Sequence, residues 1–197
     1  MTLDVVLARF NEDIAWTKTL RPDCRLFVYN KGVGDKPILH NLGREAHTYL
    51  HHIVENYGHF PDWTFFSQAD PRQHVSCLQV IINTWPDSYR KSVFYVCPDQ
   101  NFFSSDPVRF IEENPQGDDK ENDCRSLWNE LFASDLDDHP VFFAPGAIFA
   151  ITREKLMTRS LAFYQRALDL SVSRPRGPWE FERLWAYLWT SSAATKL

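Results

Sequence analysis

Asn41–Asp70, NLGREAHTYLHHIVENYGHFPDWTFFSQAD, is the stretch on which the reading of the chain turns. After a polar turn, Ala46, Tyr49, Leu50, Ile53, Val54 and Tyr57 recur at the three-and-four spacing that lines one face of a helix. Gly58 and Pro61 end that pattern. Trp63–Gln68 (WTFFSQ) is then aromatic and uncharged, the composition of a central strand, and it delivers Asp70 just past its end. A turn that presents backbone N–H groups, followed by a strand that carries a carboxylate to the sheet edge, suits a nucleotide site.

Working outward, Leu3–Ala8 is a short apolar run without room for helical periodicity and reads as a first buried strand. Asn11 offers an N-cap to a short helix through Trp16 and Leu20, stopped by Pro22. Arg25–Asn30 (RLFVYN) reads as a second strand leading into the glycine-punctuated loop Lys31–Pro37. Strand, helix, strand in this order predicts crossover connections and a mainly parallel sheet. Beyond Asp70, Gln73–Trp85 reads as a helix and Ser92–Val96 as a strand. Regularity then fades, with a helical turn near Asp106–Pro107 and a polar loop, Gln116–Asp123. Arg125–Ala133 reads as a helix, Val141–Thr152 as a pair of strands broken at Pro145–Gly146, Arg153–Leu170 as one long helix, and the segment after Pro175–Pro178 as a last one. No internal repeat is present.

The 197 residues fit one α/β domain, and 44% hydrophobic with 15% aromatic content supports a packed core. A net charge of −5 argues against a nucleic-acid partner. Cys24, Cys77, Cys97 and Cys124 form no C-x-x-C pair, which predicts reduced thiols rather than a disulfide frame or zinc knuckle. The start, MTLDVVLARFNED, has no signal-peptide pattern, and no apolar run reaches the length of a membrane span; a cytoplasmic protein is expected.

Four groups of residues carry candidate chemistry. Asn41, Gly43 and Arg44 stand where free N–H groups and the positive end of a helix dipole attract anions; the plainer alternative is an ordinary cap with Arg44 paired to Glu45. Gln68-Ala69-Asp70 has the shape of an Asp-x-Asp motif with its first acid replaced by an amide, so Asp70 is the candidate ligand for Mn²⁺ or Mg²⁺; the alternative is a cap on the helix that Pro71 would begin. His74 follows Asp70 by one helical turn and faces a phosphate, an acceptor or solvent. His47, His51 and His52 sit on the polar side of the helix without the glutamate or third ligand that a zinc site needs. Glu182, in WEFERLW, is the candidate general base, surrounded by aromatics that would lift its pKa; an ion pair with Arg183 is the alternative, and Glu180 competes with it.

The segments ARFNEDIAW, YNKG, NLGREAHTYLHHI, FFSQADPRQH, LWNELF, PGAIFAITRE and ERLW resemble an uncharacterised family of microbial and fungal proteins known as a domain of unknown function. They are also similar to the small chlorovirus glycosyltransferase with a glycosyltransferase-A fold. The resemblance implies a single-domain nucleotide-diphospho-sugar transferase fold, α/β with a mixed, mainly parallel sheet flanked by helices. Residues 1–96 would form its nucleotide-binding half and 97–197 its acceptor half. By position it implies that Ala8, Arg9 and Asn11 border the base and that Asn41, Gly43 and Arg44 follow the nucleoside and diphosphate. Gln68 and Asp70 would occupy the metal motif, Gly146 would face the sugar, and Glu182 would be the base. No histidine follows His139, although some metal-dependent relatives use a late one. The implied activity is transfer of a sugar from a nucleotide-diphosphate donor to a glycan or other hydroxyl acceptor. The alternatives are a non-catalytic sugar- or nucleotide-binding module, in which Trp16, Trp63, Trp85, Trp128 and Trp179 stack on sugar rings, or a metal-dependent nucleotide-sugar hydrolase.

Overall fold

The structure is a computed structural model that describes residues 1–32, 39–85, 94–96, 111–113, 122–134, 136, 141–143 and 146–189. The loop through Pro37, the turn at Asp106–Pro107, most of the polar loop before Asp123, and Cys97, His139 and Pro145 lie outside the described residues. Seven strands are described: β1 (Leu3–Arg9), β2 (Cys24–Asn30), β3 (Trp63–Gln68), β4 (Phe94–Val96), β5 (Ile111–Glu113), β6 (Val141–Phe143) and β7 (Phe149–Thr152). The helices are α1 (Arg44–Glu55), α2 (Leu78–Thr84), α3 (Cys124–Phe132), α4 (Arg153–Leu156), α5 (Leu161–Ser173) and α6 (Gly177–Leu188).

The main sheet has five strands in the order β2-β1-β3-β7-β4. β1 pairs in parallel with β2 and β3, whereas β7 runs antiparallel to both β3 and β4, so the sheet is mixed, with β7 reversed against the common direction of the other four strands. The reason lies in β7, a strand from late in the chain that enters between β3 and β4 with its direction reversed. The predicted strand pair in Val141–Thr152 is two strands, but they do not pair with each other, since β6 joins β5 in a separate two-stranded sheet.

Strand alternation assigns the two faces of the main sheet. Val6, Phe66, Phe149 and Ile151 point into a core made with α1, α3, α5 and α6, where Tyr49, Trp185 and Trp189 are buried. Val5, Leu7, Phe65, Ile148 and Ala150 point the other way, into a core closed by Val75, Leu78, Ile82 and Trp85 on the side of α2. Coverage on both faces explains why β1 and β3 read as nearly continuous apolar runs. Trp63, Trp85 and Trp128 belong to these cores; Trp16 and Trp179 remain partly exposed.

Several boundaries differ from the sequence reading for local reasons. Asn11 does not cap a helix: it has φ 67°, and its N–H donates to Asn30 Oδ1 at 3.1 Å. The first helix is only a 3-10 turn, Ala15–Thr19. Gln73–Trp85 divides into a 3-10 turn, Pro71–Gln73, capped by Asp70, and α2. Arg153–Leu170 divides at Ser160, whose hydroxyl accepts the N–H of Phe163 and restarts the helix as α5. The histidines of α1 are not a polar face, because His52 is fully buried.

His52 shows how the packing sets protonation. Its Nδ1 meets the Tyr29 hydroxyl at 2.9 Å and the Asn56 amide at 3.3 Å, while its Nε2 is buried without a hydrogen-bond partner among the described residues. Burial holds its pKa down to about 3, and burial likewise brings that of His47 down to about 4. The folded chain therefore binds fewer protons than the unfolded chain below the ordinary value of 6.5, so this contribution is complete above pH 6.5 and is lost as pH falls toward the folded values. Urea unfolding at successive pH values is expected to show the midpoint falling steadily between pH 6.5 and 4, and a flat profile there would contradict the assignment.

Candidate functional site

The connections leaving β1 and β3 run in opposite directions, the first to β2 and the second through α2 toward β4, so a crevice opens between their carboxyl ends. A cleft of about 290 Å³ lies there. Ala8, Arg9, Phe10 and Glu12 line it from the end of β1 and the loop that follows, and Gln68 from the end of β3. Lys31, just beyond β2, lines it together with Asn41, Arg44 and Glu45 from the start of α1.

The loop after β1 is tightly built. Arg9 Nε donates to the Glu12 carbonyl at 2.8 Å, and the Phe10 N–H donates to the Glu12 carboxylate. Asn11 and Asn30 exchange hydrogen bonds through their side chains and backbone, which fixes this loop to the end of β2 and turns Asn11 away from the cleft lining. Phe10 is left 52% exposed at the mouth. On the other side, the Trp16 Nε1–H donates to the Ala69 carbonyl at 2.9 Å and pins the end of β3.

Lys31 was read in sequence only as the first residue of a loop, yet it is 7% exposed and central to the site. Its ammonium donates to the carbonyls of Leu42 at 2.6 Å and Arg44 at 2.5 Å and lies 3.2 Å from His47 Nδ1. An ammonium has three N–H groups and no acceptor, so all three are matched and His47 accepts with Nδ1 as a neutral imidazole. Burial brings the lysine down to about 8, and Glu45 opposes that shift. Gly43 begins α1 with φ 59° and no side-chain cap; a Cβ there would stand 2.7 Å from the Ser171 carbonyl of α5. Arg44 keeps a mostly exposed guanidinium, 5.1 Å from the Trp179 ring and 3.9 Å from Glu45. The ordinary pairing with Glu45 is thus present, but the guanidinium still lines the cleft. Glu45 was considered in sequence only as that partner. Its carboxyl lies above the ordinary range because burial raises it and Glu182 pushes the same way, against its own backbone N–H, Arg44 and Lys31.

The remaining sequence candidates fall around this cleft rather than in it. Asp70 takes the plainer of its two roles: it caps the 3-10 turn, and both its oxygens accept from Arg72, Nε at 2.7 Å and a terminal nitrogen at 2.9 Å. That ion pair holds its carboxyl below the usual range. Gln68 donates to the Gly146 carbonyl at 3.4 Å. These residues do not fit a divalent cation: the one carboxylate is already bidentate to an arginine, and its neighbour is an amide. Among the described residues no group of three histidine, cysteine, aspartate or glutamate side chains converges on a point.

His74 packs its ring on Gly146, and the Gly146 N–H donates to Glu182 Oε1 at 2.6 Å. Glu182 Oε2 lies 3.8 Å from Arg183. Its charge pushes the Glu45 carboxyl upward, and it is outside the cleft lining. Glu180 is separated from it by helical face: it is buried, bound by Arg174 at 2.7 Å and by the Asp123 N–H at 2.9 Å, and so ties α6 to α3. At Gly146 the backbone has φ 96°, and a Cβ would approach the His74 ring to 2.5 Å. Gly146→Ala is expected to cost about 1–3 kcal/mol in urea unfolding from backbone strain alone. Adding His74→Ala should recover the part due to the clash, and a neutral Gly146→Ala would refute this geometry.

Among the described residues, no helix is long and apolar enough to cross a membrane. No curated protein and no solved structure matches the chain, and nothing in the comparisons links it to the chlorovirus glycosyltransferase. Every residue lining the cleft, from Ala8 to Gln68, falls inside a segment that a family model matches. That segment, residues 5–84, matches the family described as Protein of unknown function (DUF3431).

Proposed function

We propose that the chain binds a nucleotide-diphosphate sugar in this cleft and transfers the sugar to a hydroxyl acceptor. The observation that carries the reading is the convergence of Arg9, Lys31 and Arg44 at the uncapped start of α1, in the crevice between β1 and β3. The positive end of a helix dipole, one fixed ammonium and two guanidinium groups suit a diphosphate, whose charge grows as it leaves. Lys31 supplies a charge that does not move, because its three N–H groups are held by the protein. Arg44 has an exposed guanidinium able to make the paired hydrogen bonds that phosphate accepts. The exposed ring of Phe10 gives a planar group a surface at the mouth.

In this reading the positive charge of the protein takes the part that a metal plays elsewhere. Glu182 is the base: Gly146 fixes Oε1 and leaves Oε2 to accept the acceptor's proton. One observation favours a second reading, a binding module without turnover: the carboxylate of Glu182 is already engaged by backbone and does not line the cleft.

Calorimetry with uridine and guanosine diphosphates and their sugar conjugates tests the proposal. Arg44→Ala should weaken binding about 10- to 100-fold, the range for a charge-assisted hydrogen bond, and Lys31→Met, which removes a charge but no hydrogen bond to the ligand, should weaken it less. Manganese and Asp70→Ala should leave the affinity unchanged. No heat with any of these nucleotides would sink the reading. Binding without sugar release in any acceptor mixture, unaffected by Glu182→Gln, would select the module.

A further inference from the structure

We infer that Glu45 is the proton donor of the cleft, taking up a proton as the anion binds so that a neutral carboxylic acid faces the phosphate of the ligand. The inference deepens the nucleotide-sugar reading and rests on it. Glu45 lines the same cleft as Arg9, Lys31 and Arg44, at the second position of α1, and its side chain is 22% exposed. An ionised carboxylate at that position would repel the anion that the helix start attracts; a protonated one offers an O–H donor instead.

The groups facing Glu45 leave room for a proton on it once an anion enters the cleft. Arg44 of the same helix stands 3.9 Å away, but its guanidinium is mostly exposed and also lies against Trp179. Lys31, from the end of β2, acts on Glu45 by its charge while its N–H groups go to Leu42, Arg44 and His47. From α6, Glu182 brings a second carboxylate, which the Gly146 N–H fixes in place. One turn along α1, the Tyr49 hydroxyl is fully buried, has no hydrogen-bond partner among the described residues, and feels both carboxylates. Arg9 and Glu12 complete the lining from the loop after β1. Burial first, and Glu182 after it, lift the Glu45 carboxyl above its ordinary range despite the two cations. A bound phosphate adds negative charge and drives the group further toward its protonated form.

In the transfer step the bond between the anomeric carbon and the phosphate oxygen breaks, its electron pair goes to that oxygen, and the oxygen takes the proton of Glu45. The acceptor oxygen forms the new bond to the anomeric carbon, and its proton passes to Glu182. Two neighbouring carboxylates thus serve as acid and base through unlike surroundings.

Inorganic pyrophosphate is a probe that needs no knowledge of base or sugar. Titrated calorimetrically into the full chain at pH 7.5 in buffers of different ionisation enthalpy, it reports protons taken up on binding. The wild-type chain should take up more than Glu45→Gln, by up to roughly one proton per anion, and Glu45→Asp should retain the uptake. Equal uptake in the wild type and Glu45→Gln overturns the inference and leaves the nucleotide-sugar reading standing. Absence of pyrophosphate binding by the wild type overturns the anion cleft and both readings with it. Should Glu45→Gln fail to fold, the infrared difference spectrum of the wild type on binding decides. A protonated-carboxyl C=O band that shifts in Glu45→Asp supports the inference, and no such band overturns it.

Discussion

A buried ammonium group stays charged only where each of its N–H groups meets an acceptor, and around Lys31 the chain meets that demand from three places. The carbonyls of Leu42 and Arg44 and the imidazole of His47 close around it. That constraint joins the end of β2 to the start of α1, beside the Tyr29–His52 hydrogen bond that joins the same two elements further along. It also explains why α1 begins without a side-chain cap. The backbone at Gly43 and Arg44, both at positive φ, is turned so that carbonyls face the lysine. The cleft is the space left beside this clamp.

The electrostatics of the cleft follow from the same packing. One fixed ammonium, two guanidinium groups and two carboxyl groups, Glu12 and the partly buried Glu45, share a small volume at a helix start. In such a place a carboxylate and an anionic ligand compete for the same positive field, and a proton on the carboxylate resolves the competition. Glu182 sharpens this for Glu45, because two interacting carboxylates resist double ionisation. Glu180, two residues earlier, has no part in it; its oxygens are used by Arg174 and Asp123 to hold α6 against α3.

The mixed sheet places these groups. Its parallel part, β2-β1-β3, brings three carboxyl ends to one edge, and the reversed β7 brings Gly146 to that edge as well. Gly146 then links Gln68, His74 and Glu182 through its carbonyl, its missing side chain and its N–H. The late part of the chain therefore reaches the edge formed by the early part through backbone more than through side chains.

What the sequence by itself determined is the set of elements whose signal is periodic and local: β1, β2, α1 and β3 lie within a residue or so of where hydrophobic spacing put them. Of the residues named from the helix start, the strand end or the resemblance, Ala8, Arg9, Asn41, Arg44 and Gln68 line the cleft, whereas Asn11, Gly43, Asp70, His74, Gly146 and Glu182 are not in its lining. Asp70 was legible as a cap, since Pro71 follows it, but its pairing with Arg72 was not. Lys31 and Glu45 were invisible as site residues, because a lysine in a glycine-rich loop and a glutamate in a helix's first turn are ordinarily solvated. Only the tertiary structure buries them. It does so by packing α1 between the sheet and the helices α5 and α6, and that placement depends on contacts far apart in sequence. The reversed strand β7 was hidden for the same reason: pairing direction is a property of two distant segments, and neither carries it alone.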